Sequence, residues 1–403
     1  MYKYLILIAC GMFFYSCSEE NNREPVTSDS NVPGQVSNVR VECFPGAVKL
    51  TYDMPGGQSL SYVKAECEIN GTVRQAKSSS YVNHLTLEGF ADTSVYTINL
   101  YSVNRSEIAS EPVTIQAKPL LPSFLDVFNN IQLFDDWGGA TVLFENPSEA
   151  DLAITVIHVD STGFWNEGET LFTNKNQGSF SLRGMPAKET TFGVYIRDRW
   201  NNTSDTLVKV LVPFFEKQLD RTKFREVRLP TDTSNDPGQP EWTMPNIWDG
   251  NIAQKNTNQW GGFLTATNAV LPNWFTFDMG AVEGAKLSRF RLWHRNTTTY
   301  AYYQRNIKKF ELYGSMNPNP DGSWDDSWTL LLDEEVIKPS GLPLGQATVE
   351  DLETVNEGIE FSFPLDVPFV RYIRMKVTEN FVGTGGFYVM QLVFWGMEPS
   401  DIE

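Results

Sequence analysis

A chain of 403 residues, 41% apolar and 20% charged, is long enough for several domains that each bury a core. Its formal net charge of −18 repels polyphosphate backbones, which excludes nucleic acid as a natural partner. With three histidines and no phosphate loop, metalloprotease helix motif or nucleophile elbow, it has little of the material that catalysis needs.

Lys3 precedes an apolar stretch, residues 4–15, that is too short to span a bilayer but suits an export signal. The stretch ends Phe14-Tyr15-Ser16-Cys17 and is followed by Ser18-Glu19-Glu20. This resembles a bacterial lipoprotein signal, with a small residue before a cysteine to be acylated, and the acidic pair resembles the surface-export signal of Bacteroidetes lipoproteins. Residues 1–17 are therefore read as a signal peptide ending at lipidated Cys17. The rival Leu7-Ile8-Ala9-Cys10 would leave a very short apolar core, and an ordinary secretory signal is the plain alternative. Residues 18–33, rich in Ser, Asn, Asp and Glu, read as a flexible tether. The resemblance implies an outer-membrane protein facing the cell exterior and touching the membrane through its acyl anchor only. Past the signal only Cys43 and Cys67 remain, too few for a disulfide scaffold; one bridge and two buried thiols both stay open.

Period-two alternation runs through the rest of the chain, as in Tyr96, Ile98 and Leu100 against Thr97, Asn99 and Tyr101, while helical periodicity is almost absent. The fold class expected is all-β. Residues 34–118 carry candidate strands at 36–42, 47–52, 62–69 and 95–103, and resemble a fibronectin-III or immunoglobulin sandwich without the immunoglobulin Cys-Trp-Cys pattern. Pro119 and Pro122 mark a stiff linker. Residues 119–215 carry strands near 140–144, 152–159, 193–198 and 206–212, and read as a second immunoglobulin-like sandwich. Trp137, Trp165 and Trp200 are expected in core and edge packing there, with a binding face as the alternative, and His158 as a structural side chain.

In residues 219–403, Ile247-Trp248-Asp249-Gly250-Asn251 leads to Trp260 and then to Pro272-Asn273-Trp274-Phe275-Thr276-Phe277-Asp278-Met279-Gly280. A strand at 286–294, Phe310-Glu311-Leu312-Tyr313-Gly314-Ser315, residues 324–328, Val370-Arg371-Tyr372-Ile373-Arg374-Met375 and Leu392-Val393-Phe394-Trp395-Gly396 follow. That order is similar to the coagulation factor 5/8 type C (discoidin, galactose-binding-like) domain, a jelly-roll β-sandwich. The whole layout looks like the Bacteroidetes surface glycan-binding lipoproteins of polysaccharide-utilisation systems, which implies glycan as ligand and an outer-membrane transporter complex as neighbour.

Eight of the eleven tryptophans lie beyond residue 240, mostly beside turn formers, and amphipathic rings at loop ends suit flat-faced sugar rings. The first candidate site is the loop that His294 and Arg295 enter, with Tyr300, Tyr302, Tyr303 and the following Asn306: directional donors beside rings that cover an apolar sugar face. The plainer reading has the His-Arg pair capping its strand and the tyrosines packing the loop. Trp242 and Trp260, the latter before Gly261-Gly262, are second contributors. Phe381 and Phe387, on the glycine-bearing loop 380–387, are the third, and a hairpin turn explains those glycines equally well. Trp248 and Trp274, nearer strand starts, are expected in the core. The discoidin resemblance also implies a structural calcium at Asp249, Thr257 and Gln391, although Gln391 supplies a neutral oxygen where relatives usually have Glu. Asp325-Asp326 and Glu334-Glu335 do not read as a catalytic carboxylate pair, because neighbours on a strand point to opposite faces. The expectation is a binding protein and not an enzyme; an adhesion or scaffolding protein whose discoidin-like domain binds another protein is the alternative.

Overall fold

The computed structural model describes residues 30–56, 60–251, 261–266, 268–296, 300–383 and 385–402. The expected lipidation site Cys17, Thr257 and Trp260 lie outside them. The chain is all-β, folded as successive sandwiches, and among the described residues no helix is long and apolar enough to cross a membrane.

The first module runs β1 (Ser37–Phe44), β2 (Ala47–Asp53), β3 (Leu60–Ile69), β4 (Thr72–Ser79), β5 (His84–Glu88), β6 (Tyr96–Asn104) and β7 (Val113–Ala117). A sheet ordered β1-β2-β5 packs on one ordered β4-β3-β6-β7. The alternation read in the sequence sets the inner face: Val48, Leu50 and Tyr52 of β2 meet Val63, Ala65 and Cys67 of β3 and Ile98 and Leu100 of β6. Cys43 and Cys67 are free thiols, and burial pushes the Cys67 thiol up to about 11.

The second module repeats the same seven-strand plan. It contains β8 (Gln132–Asp136), β9 (Gly139–Glu145), β10 (Leu152–Val159), β11 (Trp165–Thr173), β12 (Gln177–Leu182), β13 (Thr190–Asp198) and β14 (Leu207–Leu211), in sheets ordered β12-β9-β8 and β11-β10-β13-β14. Helix α1 (Ser123–Asn130), which the sequence reading missed, buries Phe124 and Val127 against the core and is entered through Pro122. Trp137 is buried, Trp165 is exposed at the start of β11, and Trp200 lies at the junction with the first module. There Arg74 donates to the Trp200 carbonyl (3.0 Å), and buried Asn202 donates to that of Gly89 (3.1 Å).

The third module pairs a sheet ordered β15-β25-β19-β22 with one ordered β16-β18-β23-β20-β21. The strands are β15 (Lys217–Gln218), β16 (Arg225–Val227), β17 (Phe263–Leu264), β18 (Asn273–Asp278), β19 (Lys286–Trp293), β20 (Ile307–Ser315), β21 (Thr329–Glu335), β22 (Ile359–Ser362), β23 (Tyr372–Asn380), β24 (Tyr388–Val389) and β25 (Gln391–Met397), with β17 and β24 as a separate short ladder. Phenylalanines fill the space between the sheets: Phe290 stacks on Phe394 with ring centroids 5.3 Å apart, and Phe277 meets Phe394 at 5.7 Å. Helix α2 (Val349–Glu357) also departs from the expected absence of helix. It begins with a reciprocal capping box between Thr348 and Asp351, which satisfies two orphan N–H groups.

Both connections are tied down by hydrogen bonds. Leu120 exchanges backbone bonds with Phe44 and Gly46, and Phe214 does so with Asp136 and Gly138. Between the second and third modules lies a buried charge network. Glu216 accepts from Ser288 Oγ (2.6 Å) and from Arg289 Nε (3.1 Å) and Nη2 (2.9 Å), and lies 3.6 Å from Arg183. Arg183 also donates to the Trp137 carbonyl (2.9 Å), and Glu360 pairs with Arg289 (2.7 Å) and Arg291 (2.9 Å).

Candidate functional site

The expected loop joins β19 to β20 at one end of the third sandwich. Asn306 shapes it. Its Oδ1 accepts from the Arg295 backbone (3.0 Å), while its Nδ2 donates to the carbonyls of Arg295 (3.1 Å) and Tyr300 (2.7 Å), so one buried amide closes the loop upon itself. The amide expected to meet ligand is therefore consumed internally. Within the loop Tyr302 (φ +49°) and Gln304 (φ +57°) are left-handed, a conformation that costs a non-glycine residue energy and turns the Tyr302 ring inward.

That reversal sorts the expected residues. Tyr302 is completely buried, and its ring forms an edge-on triad with His294 (6.1 Å) and Phe381 (5.9 Å). His294 is 2% exposed with neither ring nitrogen in hydrogen-bonding geometry, and burial pushes its pKa down to about 3, the Ile307 backbone opposing only weakly. It is a neutral core side chain; the expected donor role at the surface is corrected. Phe387 and Trp242 are likewise buried, because apolar rings at strand ends are drawn into the two clusters beneath the rim. Asn380 and Thr265 clamp the loop 380–387. Asn380 Oδ1 accepts from the Val382 and Gly383 backbone, its Nδ2 donates to the Gly386 carbonyl (2.7 Å), and Thr265 Oγ1 accepts from Phe387 N (2.8 Å). A Cβ at Gly386 would collide with Thr265, so that glycine is there for close approach. Of the expected core tryptophans Trp248 is buried, but Trp274 is half-exposed on the outer face of its sheet, which corrects that expectation.

Arg295, Tyr300, Tyr303 and Phe381 remain partly accessible. The Arg295 guanidinium lies over the Tyr300 ring, 3.7 Å from its centroid, and that ring leans on a small cluster of Trp242, Leu264, Trp293, Tyr388, Met390 and Val393. Sequence reasoning missed Tyr388 and Arg305. The Tyr388 hydroxyl is buried without a hydrogen-bond partner; burial raises its pKa, and the charges of Arg295 and Arg305 oppose that rise. Arg305 donates to the Thr265 carbonyl at 3.4 Å. A guanidinium held over a partly exposed phenol ring can donate hydrogen bonds to a hydroxyl-rich ligand while neighbouring rings cover its apolar face.

Of the expected calcium ligands, Thr257 lies outside the described residues. Asp249 is exposed and its Oδ1 accepts from the Asn251 backbone (2.8 Å), building its own turn, whereas Gln391 is wholly buried in β25. Among the described residues no cluster of three or more His, Cys, Asp or Glu side chains could hold a metal.

Three families described only as domains of unknown function match the chain in series, at residues 33–119, 120–222 and 248–396. A search among curated proteins found no match. A solved SusE-like protein shares 34% identity, covering 68% of this chain and 99% of its own, with a TM-score of 0.43. The chain belongs to the SusE-like family. The identity over that whole length carries the assignment, and the superposition adds nothing to it. Two further structures are similar to this SusE-like chain at low identity. A two-domain fibronectin type III segment from chicken tenascin is 17% identical and covers 44% of this chain and 99% of its own, TM-score 0.22. The C-terminal domain of a chitobiase from Bacteroides fragilis is 16% identical and covers 45% and 98%, TM-score 0.31. Both superpose too loosely to inform on function.

Proposed function

We propose that this SusE-like protein is a non-catalytic, lipid-anchored surface protein that captures oligosaccharide or polysaccharide for uptake, the discoidin-like third module holding the sugar and the first two modules acting as a spacer. The observation that carries the reading is the partly accessible Arg295 guanidinium lying over the partly accessible Tyr300 ring at the rim, 3.7 Å from its centroid. The rings of Tyr300 and Tyr303 would cover an apolar sugar face while the guanidinium donates hydrogen bonds to hydroxyls. So shallow a contact yields about −4 to −8 kcal/mol, a dissociation constant on the order of millimolar to micromolar, and many copies at an outer membrane, each held through Cys17, would add avidity. The tied-down connections support the spacer role. Retardation of the protein in gels containing plant and host polysaccharides tests the proposal, with Arg295→Ala and Tyr300→Ala as variants that weaken it.

A second reading has its own observation. Phe164, Trp165 and Phe172 are exposed on and beside β11, an edge strand of the second module, and exposed rings spread along an open sheet edge suit a protein partner such as a transporter complex. Retardation by no polysaccharide, together with capture of a co-expressed transporter pair that Phe172→Asp abolishes, would favour it.

A further inference from the structure

We propose that the outer face of the five-stranded sheet in the third module is a second saccharide site, for neutral sugars, built around the exposed indole of Trp324. It rests on the saccharide reading of the chain but uses none of the rim residues.

Trp324 is 39% exposed and sits in the connection from β20 to β21, whose sequence Asp321-Gly322-Ser323-Trp324-Asp325-Asp326-Ser327-Trp328 folds back on itself. Asp321 Oδ1 accepts from Ser323 N (2.8 Å), and Asp325 Oδ1 accepts from Ser327 N (3.0 Å) and Ser327 Oγ (2.5 Å). Gly322 takes φ +80° where a Cβ would stand 2.7 Å from Thr231 Oγ1, and its carbonyl accepts from Thr231 Oγ1 (2.6 Å) and Arg374 Nη1 (3.2 Å). These bonds pin the loop across the sheet.

Arg374 holds the indole from behind. Its side chain is fully buried, its guanidinium lies 4.7 Å from the Trp324 ring centroid and 4.3 Å from that of Trp328, and its Nε donates to Thr276 Oγ1 (3.1 Å). Trp274 and Tyr313 meet Trp324 edge-on at 5.1 and 4.7 Å. The outer surface of the ring is thus open to water while its orientation is set on three sides, so stacking a ligand on it costs little side-chain entropy.

Fixed polar groups stand next to it. The Tyr313 hydroxyl donates to Glu311 Oε2 (2.5 Å), and Lys376 Nζ donates to both Glu311 oxygens (3.1 and 2.9 Å) while lying 5.8 Å from the Trp324 ring. A carboxylate, a phenol and an ammonium held in place beside a ring offer acceptors and donors to sugar hydroxyls. Lys376 neutralises Glu311, so the net negative charge beside the ring comes from Asp321, Asp325 and Asp326 of the loop; it repels sugars that carry a carboxylate or sulfate, selects neutral ones and contrasts with the two arginines at the rim.

The test uses the full chain in native gels containing neutral polysaccharides (xyloglucan, galactomannan, soluble starch) or acidic ones (polygalacturonate, chondroitin sulfate). The Arg295→Ala/Tyr300→Ala variant should still be retarded by at least one neutral polysaccharide. Adding Trp324→Ala should weaken that retardation at least tenfold, with Trp324→Phe recovering part of it and Lys376→Met weakening it severalfold. Near-UV circular dichroism and thermal melts establish that each variant is folded; if Trp324→Ala is not, Trp324→Phe and Lys376→Met carry the test. Loss of all binding in the rim variant, or binding unchanged by the folded platform variants, overturns the second site and leaves the rim reading standing. A wild-type protein retarded by none of the five fails the saccharide reading itself, and this site with it.

Discussion

Replacing Glu216 with Ala should loosen the junction between the second and third modules. The Glu216 side chain is 5% exposed and receives four hydrogen bonds, one from Ser288 and three from Arg289, with Arg183 at 3.6 Å. Its removal leaves two guanidinium groups, 11% and 14% exposed, sharing Glu360 and Asp136 as their remaining counter-charges. Breaking one partner out of a buried ion pair costs about 3–5 kcal/mol, and because Arg289 keeps Glu360 at 2.7 Å the lower figure applies. Guanidinium unfolding followed by tryptophan fluorescence should show the third module's transition destabilised by about 3 kcal/mol, and limited proteolysis should newly cut within residues 212–218. Glu216→Gln, which keeps an acceptor for Ser288, should fall between. Destabilisation below about 1 kcal/mol, with the segment still protected, would show that the network is screened by water and is no structural joint.

Other expectations follow from single groups. The pKa of His294 falls from 6.5 to about 3 on folding, so its contribution to stability is complete above pH 6.5 and is lost as the pH falls toward 3. Against His294→Phe, wild-type unfolding free energy should drop more steeply between pH 6 and 4, by up to about 1.4 kcal/mol per unit, and equal slopes would place the imidazole in water. Tyr388→Phe removes a buried hydroxyl without a side-chain partner, so the melting temperature should hold or rise; a fall would mean that the hydroxyl is structural. Gly386→Ala should lower the melting temperature by several degrees because the new Cβ meets Thr265, and an unchanged melt would show that the loop yields.

The parts of the fold that were plain in the sequence are the central strands. Residues 47–52, 152–159 and 286–294 alternate or run apolar because both of their sheet neighbours are present, and they recur as β2, β10 and β19. The edge strands β1 and β14 were read, but the edge strands β4 and β11 were lost. β4 reads Thr-Val-Arg-Gln-Ala-Lys-Ser-Ser and β11 is exposed along most of its length, so neither shows the apolar signal that pattern reading needs. The nine-residue α2 escaped because its evidence is a cap and one buried valine, not a stripe. At the site, residue types pointed to a loop but not to which of its side chains stay accessible. Tyr300, Tyr302 and Tyr303 look alike in sequence, and the left-handed Tyr302 decides which of them turns inward. Tyr388 hides inside the apolar run Phe387-Tyr388-Val389, and only the fold brings it to Arg295 and Arg305. Trp274 and Trp324, far apart in the chain, meet only through the sheet.

The central claim is that the rim of the third module docks saccharide without cleaving it. Isothermal titration of the wild type and the Arg295→Ala/Tyr300→Ala variant, using oligosaccharides cut from whichever polysaccharide retards the protein, measures it most directly. The account predicts a dissociation constant between about millimolar and micromolar for the wild type, at least tenfold weaker association at the rim of the variant, and no new reducing ends in the cell afterwards. Equal affinity in the two proteins, or sugar released during the titration, would contradict it.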